Sequence, residues 1–537
     1  MNKVKRIALL IALLPVLYLT SCHKIGSNAT WDTQILAPLI KTNLSINNLV
    51  TNGSLITNPD SSLTLVFSDS LYNLNTDSLF KIPDTSLVYN YPILGPETIT
   101  PGETILTNTN TNQYNVGSGV QMKKAIIQSG YLKVVINSNL AGLTDYIYQI
   151  PSLTLGGKPF DDTIPIPAGS PSTPSTITKY IPLNGYSVDF TGPTHNNCNE
   201  LTTELTIALD PKASTVVTPA SGGGSINVNV TFDSLVPYFG GGYFGKNTKV
   251  IGPDTSAFPL FNKLVAGKLN LKYVSVNFTL VNGFGVDAQI LLKHLTSISR
   301  NGSTLNLADA AIINNPINVN RAVETYDPAY PVNASIKTFS ITPTTSPNIL
   351  AWIDSLPTKV AYDLQIETDP LGNVSGFTDF AYLNYGIKAY LDVNVPLSLI
   401  ATNLTLEDTV SVNLATSAQA QQIKSGTFTL YADNGFPFSA GMQVYVLNSN
   451  NQVSDSLVVP TQSILAGVTN ALGTVIAPTN STVTIPVGAD KMPRLLAAKK
   501  LIIEAKFNTN PSVYSKIYSY YKLNIKMVGN FDYQVKG

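Results

Sequence analysis

The chain has 537 residues, no formal net charge and only 12% charged side chains, with 34 prolines and 36 glycines. That length suits roughly two to four domain cores, and a neutral, charge-poor surface argues against nucleic acid as a partner. With two cysteines and three histidines in the whole chain, neither a disulfide framework nor a metal or cofactor site is expected.

At the N-terminus Lys3, Lys5 and Arg6 precede an uncharged run from Ile7 to Leu19 that contains Pro15. A bilayer-spanning helix needs about 20 apolar residues, so this shorter, sharply ended run reads as a signal peptide over residues 1–21. Leu19-Thr20-Ser21-Cys22 resembles the bacterial lipobox, an aliphatic residue and two small ones before a cysteine. The resemblance implies a diacylglycerol on the Cys22 sulfur and a mature chain that begins there. Acyl chains, at about 0.8 kcal/mol per buried CH₂, would hold the protein to a membrane. Cys198 is then left with no partner for an internal disulfide.

Residues 22–125 are rich in Asn, Thr, Ser and Pro and read as an N-terminal tether and β-rich region. Clean alternation follows it. Leu132, Val134 and Ile136 share one face of a strand, as do Ile226, Val228, Val230 and Phe232, and Val274, Val276, Phe278 and Leu280. Phe428, Leu430 and Ala432 repeat the pattern, and so do Leu523, Ile525 and Met527. Two short helices are expected, one opened by Ser346 as N-cap with Pro347 at the first position, the other over Pro493 to Leu501.

Three stretches, starting at Ser129, Leu271 and Ser425, share a plan of alternating strand, polar turn, apolar residue and second strand. In the last two the turn reads Asn282-Gly283-Phe284 and Asn434-Gly435-Phe436, where Asn-Gly supplies a tight turn and Phe plugs the core beneath it. Duplication and convergent hairpin grammar both account for this. The expectation is an all-β chain of tandem β-sandwiches, immunoglobulin-like or related, with minor short helices. The sandwiches are expected over residues 126–265, 266–417 and 418–537.

The phrases "SCHK", "WDTQILAPLI" from Trp31, "FDSLVPYFGGGYFG" from Phe232 and "NGFPF" from Asn434 resemble a group of uncharacterised lipoproteins of the Bacteroidota. The resemblance implies an outer-membrane address and no particular activity. Surface export in that phylum resembles a rule asking for acidic residues after the lipidated cysteine. His23 to Ser27 has none, so the protein is expected to face the periplasm. The triplet Asp-Ser/Thr-aliphatic resembles the O-glycosylation sequon of the same phylum, which implies glycans on Ser70, Ser78, Thr163, Ser234, Thr409 or Ser456. A seventh instance, at Ser355, falls in the expected helix. Turn chemistry is the competing explanation, because Asp and Ser bond nearby backbone before an aliphatic residue starts a strand.

Catalytic groups are scarce. His195 stands three residues before Cys198 in "THNNCNE", half a zinc site at best, in surroundings that suit an exposed loop. His294 reads as an ordinary strand residue, and no G-x-S-x-G elbow occurs. Asp161, Asp162 and Glu324 are the least ordinary acids and read as surface. "YFGGGYFG", from Tyr238, lacks the Lys-Ser/Thr ending of a phosphate loop. Its aromatics, Tyr238, Phe239, Tyr243 and Phe244, either form a contact loop for a sugar or protein, or fold back into the core. The expected function is a lipid-anchored envelope protein with a non-catalytic binding or scaffolding role toward protein or glycan. The alternative is an envelope hydrolase that acts on polysaccharide or peptidoglycan with paired carboxylates.

Overall fold

The computed structural model describes residues 30–536 apart from 51–52, 75–81, 94–95, 115, 118, 219–223, 265 and 413–421. Cys22 and Ser78 lie outside the described residues. The chain opens with three long strands, β1 (Thr30–Leu44), β2 (Leu63–Leu74) and β3 (Thr85–Pro92), that do not pair with one another. Each is the first strand of a different sandwich.

The first sandwich continues with β4 (Thr104–Gln113), β5 (Gln121–Ser138), β6 (Thr144–Leu155), β7 (Lys158–Ile166), β8 (Ser175–Pro182), β9 (Glu200–Leu209) and β10 (Ser225–Tyr243). Its hydrogen-bonded orders are β3-β10-β5-β8 and β4-β9-β6-β7, all antiparallel. The second is built from β11 (Asn247–Ala257), β12 (Ser275–Asn282), β13 (Ala288–Ser299), β14 (Thr304–Asn306), β15 (Ser335–Ile341), helix α1 (Ile349–Asp354), β16 (Pro357–Thr368), a short β17 (Asp379–Tyr382) and β18 (Ile387–Pro396). Its orders are β2-β18-β12-β15 and β11-β16-β13-β14. The third comprises β19 (Leu404–Ser411), β20 (Ile423–Asn434), β21 (Ser439–Leu447), β22 (Val453–Ile464), β23 (Thr479–Val487), helix α2 (Met492–Ala497), β24 (Lys500–Asn508) and β25 (Leu523–Lys536). Its orders are β1-β25-β20-β23 and β19-β24-β21-β22.

Numbered within each sandwich with the short β17 left out, all three orders are 1-8-3-6 and 2-7-4-5, the strand order of a jelly roll. The all-β sandwich expectation therefore holds, in jelly-roll form. One turn recurs in all three. The N–H of Phe284 donates to the Asn282 side chain, that of Phe436 to Asn434, and that of Leu140 to Ser138. The apolar residue of each turn is buried, and its carbonyl accepts from Ala322, Gly467 or Gly169.

The described residues of 22–125 do not form a unit of their own, a correction to the expected division. β1, β2 and β3 are distributed to the third, second and first jelly rolls, each beside the last strand of its sheet. The boundaries expected near 265 and 418 fall before the third strand of their rolls and that near 125 falls inside β5, the third strand of the first, because the repeating turn follows that strand and two earlier strands had gone unassigned. In each roll the first strand also meets the second across the sandwich. The Asn112 amide donates to the Tyr89 hydroxyl, Ser256 to Asp69 and Thr42 to Asp408.

The alternating strands do bury the faces read from sequence, Val274, Val276, Phe278 and Leu280 among them. Ser346 does not cap α1. It is buried with its hydroxyl on the Ala308 carbonyl, and Asn348 takes the cap position. The second helix stops at Ala497, and Leu501 belongs to β24.

Candidate functional site

The expected aromatic contact loop is not a loop. Tyr238, Phe239 and Tyr243 lie in β10, and Phe244, just past it, is fully buried with Phe239 nearly so. The last turn of β10 pairs on one side with β5 and on the other with β17, which belongs to the second jelly roll. Phe239, Phe380 and Ala322 form a small core of their own there, with Tyr238 and Tyr382 packed against it. The Phe239 and Tyr382 rings are 4.7 Å apart, and Lys124 sits 4.9 Å over Phe239. Glycines permit this closeness, since a Cβ on Gly242 would lie 2.2 Å from the Gln121 carbonyl oxygen. These aromatics are the seam between two jelly rolls.

Beside that seam lies the most perturbed group of acids. β16 ends at Thr368, and Asp369 follows in the left-handed region at φ 47°, which Asp tolerates better than most residues. Its N–H donates to the Asp287 carbonyl. The chain returns at Asp379, the first residue of β17. Both carboxyls are almost wholly buried, at 4% and 2% exposure. Burial first, then the neighbouring Asp379, pushes the Asp369 carboxyl up to about 8. Burial raises Asp379 as well, against hydrogen bonds from Ser375 and the Phe244 backbone and the charge of Arg321. The Arg321 guanidinium stands 3.3 Å from Asp379, and its backbone N–H donates to Asp287 at 3.0 Å. A cavity of about 290 Å³ opens alongside, lined by Asp287, Asn318, Asn320 and Asp369.

Chemically this is a pair of buried neighbouring carboxyls beside one arginine. It ties the turn before β13, the segment holding Arg321, the end of β16 and the end of β10 into one junction. Neither aspartate was singled out from sequence, since Asp-Pro and Thr-Asp read as turns. The usable signal was position for Asp369 alone, because it directly follows an alternating buried strand.

The other expected site residues are scattered. His195 is exposed on the loop after Asp189, 3.5 Å from that carboxylate, while Cys198 is half-buried and free. Among the described residues no group of three or more His, Cys, Asp or Glu is placed to hold a metal ion. His294 is a strand residue at an irregularity opposite Asp363. Asp162 pairs with Lys179 at 2.7 Å, Asp161 accepts from Gln149, and Glu324 accepts from the Tyr382 hydroxyl at 2.6 Å. Burial also raises Asp354, to about 7, where it caps the Leu271 N–H, and raises Glu407 beside Glu504.

In the Asp-Ser/Thr-aliphatic triplets the aspartate accepts from the next N–H at Ser70 and Ser456, and the aliphatic residues Leu71, Ile164, Leu235 and Leu457 turn into the core. The hydroxyl residues Ser70, Thr163, Ser234 and Thr409 are exposed, and Ser456 is half-buried. Ser355 packs at the end of α1 with its hydroxyl on Trp352.

No protein-family model matches the chain, and no curated protein matches it. Among solved structures, a presumed secreted protein from Parabacteroides distasonis is 10% identical, with 92% of this chain and 99% of that one covered, at a TM-score of 0.27. A triple-jelly-roll protein of an archaeal virus is 12% identical over 84% and 96%, at 0.09. At such scores the jelly-roll assignment rests on strand order alone. Among the described residues no helix is long and apolar enough to cross a membrane.

Proposed function

We propose that this is a non-catalytic, lipid-anchored protein of the outer membrane, facing the periplasm, that binds glycan or protein through the sheet faces of its three jelly rolls. The observation that carries the reading is the use made of the acid pair. Asp369 and Asp379 neighbour each other, buried, with Arg321 on Asp379, whereas glycosidase carboxylates stand about 5–10 Å apart across an open cleft. Acids fastened into a seam leave the outer sheet faces, polar and studded with exposed tyrosines such as Tyr131, Tyr180 and Tyr431, as the surfaces fit for contact.

Cys22 supplies the anchor in this reading, and β1 begins only a short way beyond it, so the third jelly roll is held nearest the lipid. Glycans on Ser70, Thr163, Ser234, Thr409 or Ser456 belong to the same proposal, supported by their accessible hydroxyls. A pull-down from native membranes with the full chain tests it. A protein or glycan retained intact supports binding, and recovery of Cys22→Ala in the membrane fraction would remove the anchor.

A further inference from the structure

The outer face of the sheet β1-β25-β20-β23, in the third jelly roll, carries a depression of about 530 Å³ lined by Lys41, Asn43, Tyr431, Asp433, Asn524 and Lys526. Register explains the grouping. Lys41 lies opposite Lys526, which lies opposite Tyr431, and Asn43, Asn524 and Asp433 form the adjoining row two residues along. Alternation sends all six side chains outward while Leu44, Leu523 and Ala432 go to the core.

The row is electrostatically incomplete. Directly opposed lysines on an antiparallel pair repel, and elsewhere on this surface lysines meet acids, Lys179 with Asp162, Lys246 with Glu367 and Lys516 with Asp60. Among the described residues none of these six outward side chains has a hydrogen-bond, ion-pair or ring partner, while Thr42, also in the lining, donates to Asp408. Tyr431, 47% exposed, offers a ring in the same cross-strand row as the two lysines. Asp433 with the two amides offers an acceptor and donors to hydroxyls.

We propose that this depression binds a soluble acidic oligosaccharide. A uronic-acid carboxylate sits between Lys41 and Lys526, its sugar ring lies over Tyr431, and hydroxyls reach Asp433, Asn43 and Asn524. The proposal rests on the binding reading above and names the ligand class for it.

Calorimetric titration of the full chain with tetragalacturonate, and with its methyl ester, tests the site. Tetragalacturonate should bind, and the neutral ester should bind about tenfold or more weakly, the loss expected for one charge-assisted contact. Lys41→Ala with Lys526→Ala, and separately Tyr431→Ala, should each weaken the acid by about tenfold or more, whereas Tyr431→Phe keeps the ring face and should retain it. All the substitutions are on an outer face, so thermal midpoints should match the wild type. Equal binding of acid and ester, binding of neither, or variants that bind like the wild type would each overturn the site. Binding that survives the variants leaves the binding reading intact elsewhere on the surface, while new reducing ends in the titrated tetramer would instead overturn that reading.

Discussion

Asn282 and Asn434 occupy the same position in two jelly rolls and make the same bonds. Each amide donates to the carbonyl four residues on, Val286 or Phe438, and to a carbonyl from a later loop, Asn320 or Leu465, while its oxygen accepts from the following Phe N–H. Both are fully buried. The Asn therefore stitches the third strand, the turn and a distant loop with one side chain.

Replacing either with alanine should destabilise its jelly roll by about 2–3 kcal/mol, because buried backbone groups lose their partners. Chemical denaturation of Asn282→Ala and Asn434→Ala checks this. A loss below half a kilocalorie would mean the turn holds without the clamp.

The Asp369–Asp379 pair gives stability a definite pH dependence. With its folded value raised to about 8 against an unfolded value near ~4, Asp369 keeps a proton that the unfolded chain releases. Its contribution is complete below about pH 4 and declines as pH rises to about 8, the sign expected when the folded state binds more protons. Asp369→Asn should melt higher than the wild type by a margin that grows between pH 5 and pH 8. A margin independent of pH would refute the raised Asp369 carboxyl.

Deleting residues 30–44 separates two accounts of the N-terminal region. If β1 is the edge strand of the third jelly roll, the deletion should expose β25 and speed amide exchange across residues 523–534 and 423–434. A simple tether predicts unchanged exchange there.

At the seam, Phe380→Ala should uncouple the first and second jelly rolls. Removing a buried Phe costs about 3–5 kcal/mol, and Phe380 contributes to the core shared by both. Calorimetry should show one transition splitting into two, and a single shifted transition would place the ring's role within one roll. Gly285→Ala should act in the same direction, since a Cβ there would meet the Phe380 ring at 2.2 Å.

Alternation made the strands legible, and Asn-Gly-Phe made the repeated turn legible, because both are local. Strand partnership was not. β1 pairs with β25 from the far end of the chain, and nothing in "TWDTQILAPLI" states how distant its partner lies. The glycines of "YFGGGYFG" were misleading for a related reason. They suggested a turn, yet they serve close approach of β5 and β17 to β10, a need visible only once two jelly rolls are side by side. The acid pair was hidden in the same way, its members joined by folding rather than by spacing.

The most direct measurement of the central claim is an end-group assay with the full purified chain, wild type and Asp369→Asn, incubated with polysaccharide and peptidoglycan from the native envelope. Material retained intact by both proteins, with no new reducing ends or released fragments from either, is the predicted result. Products that accumulate with the wild type and fall with Asp369→Asn would contradict it, because the seam acids would then be catalytic.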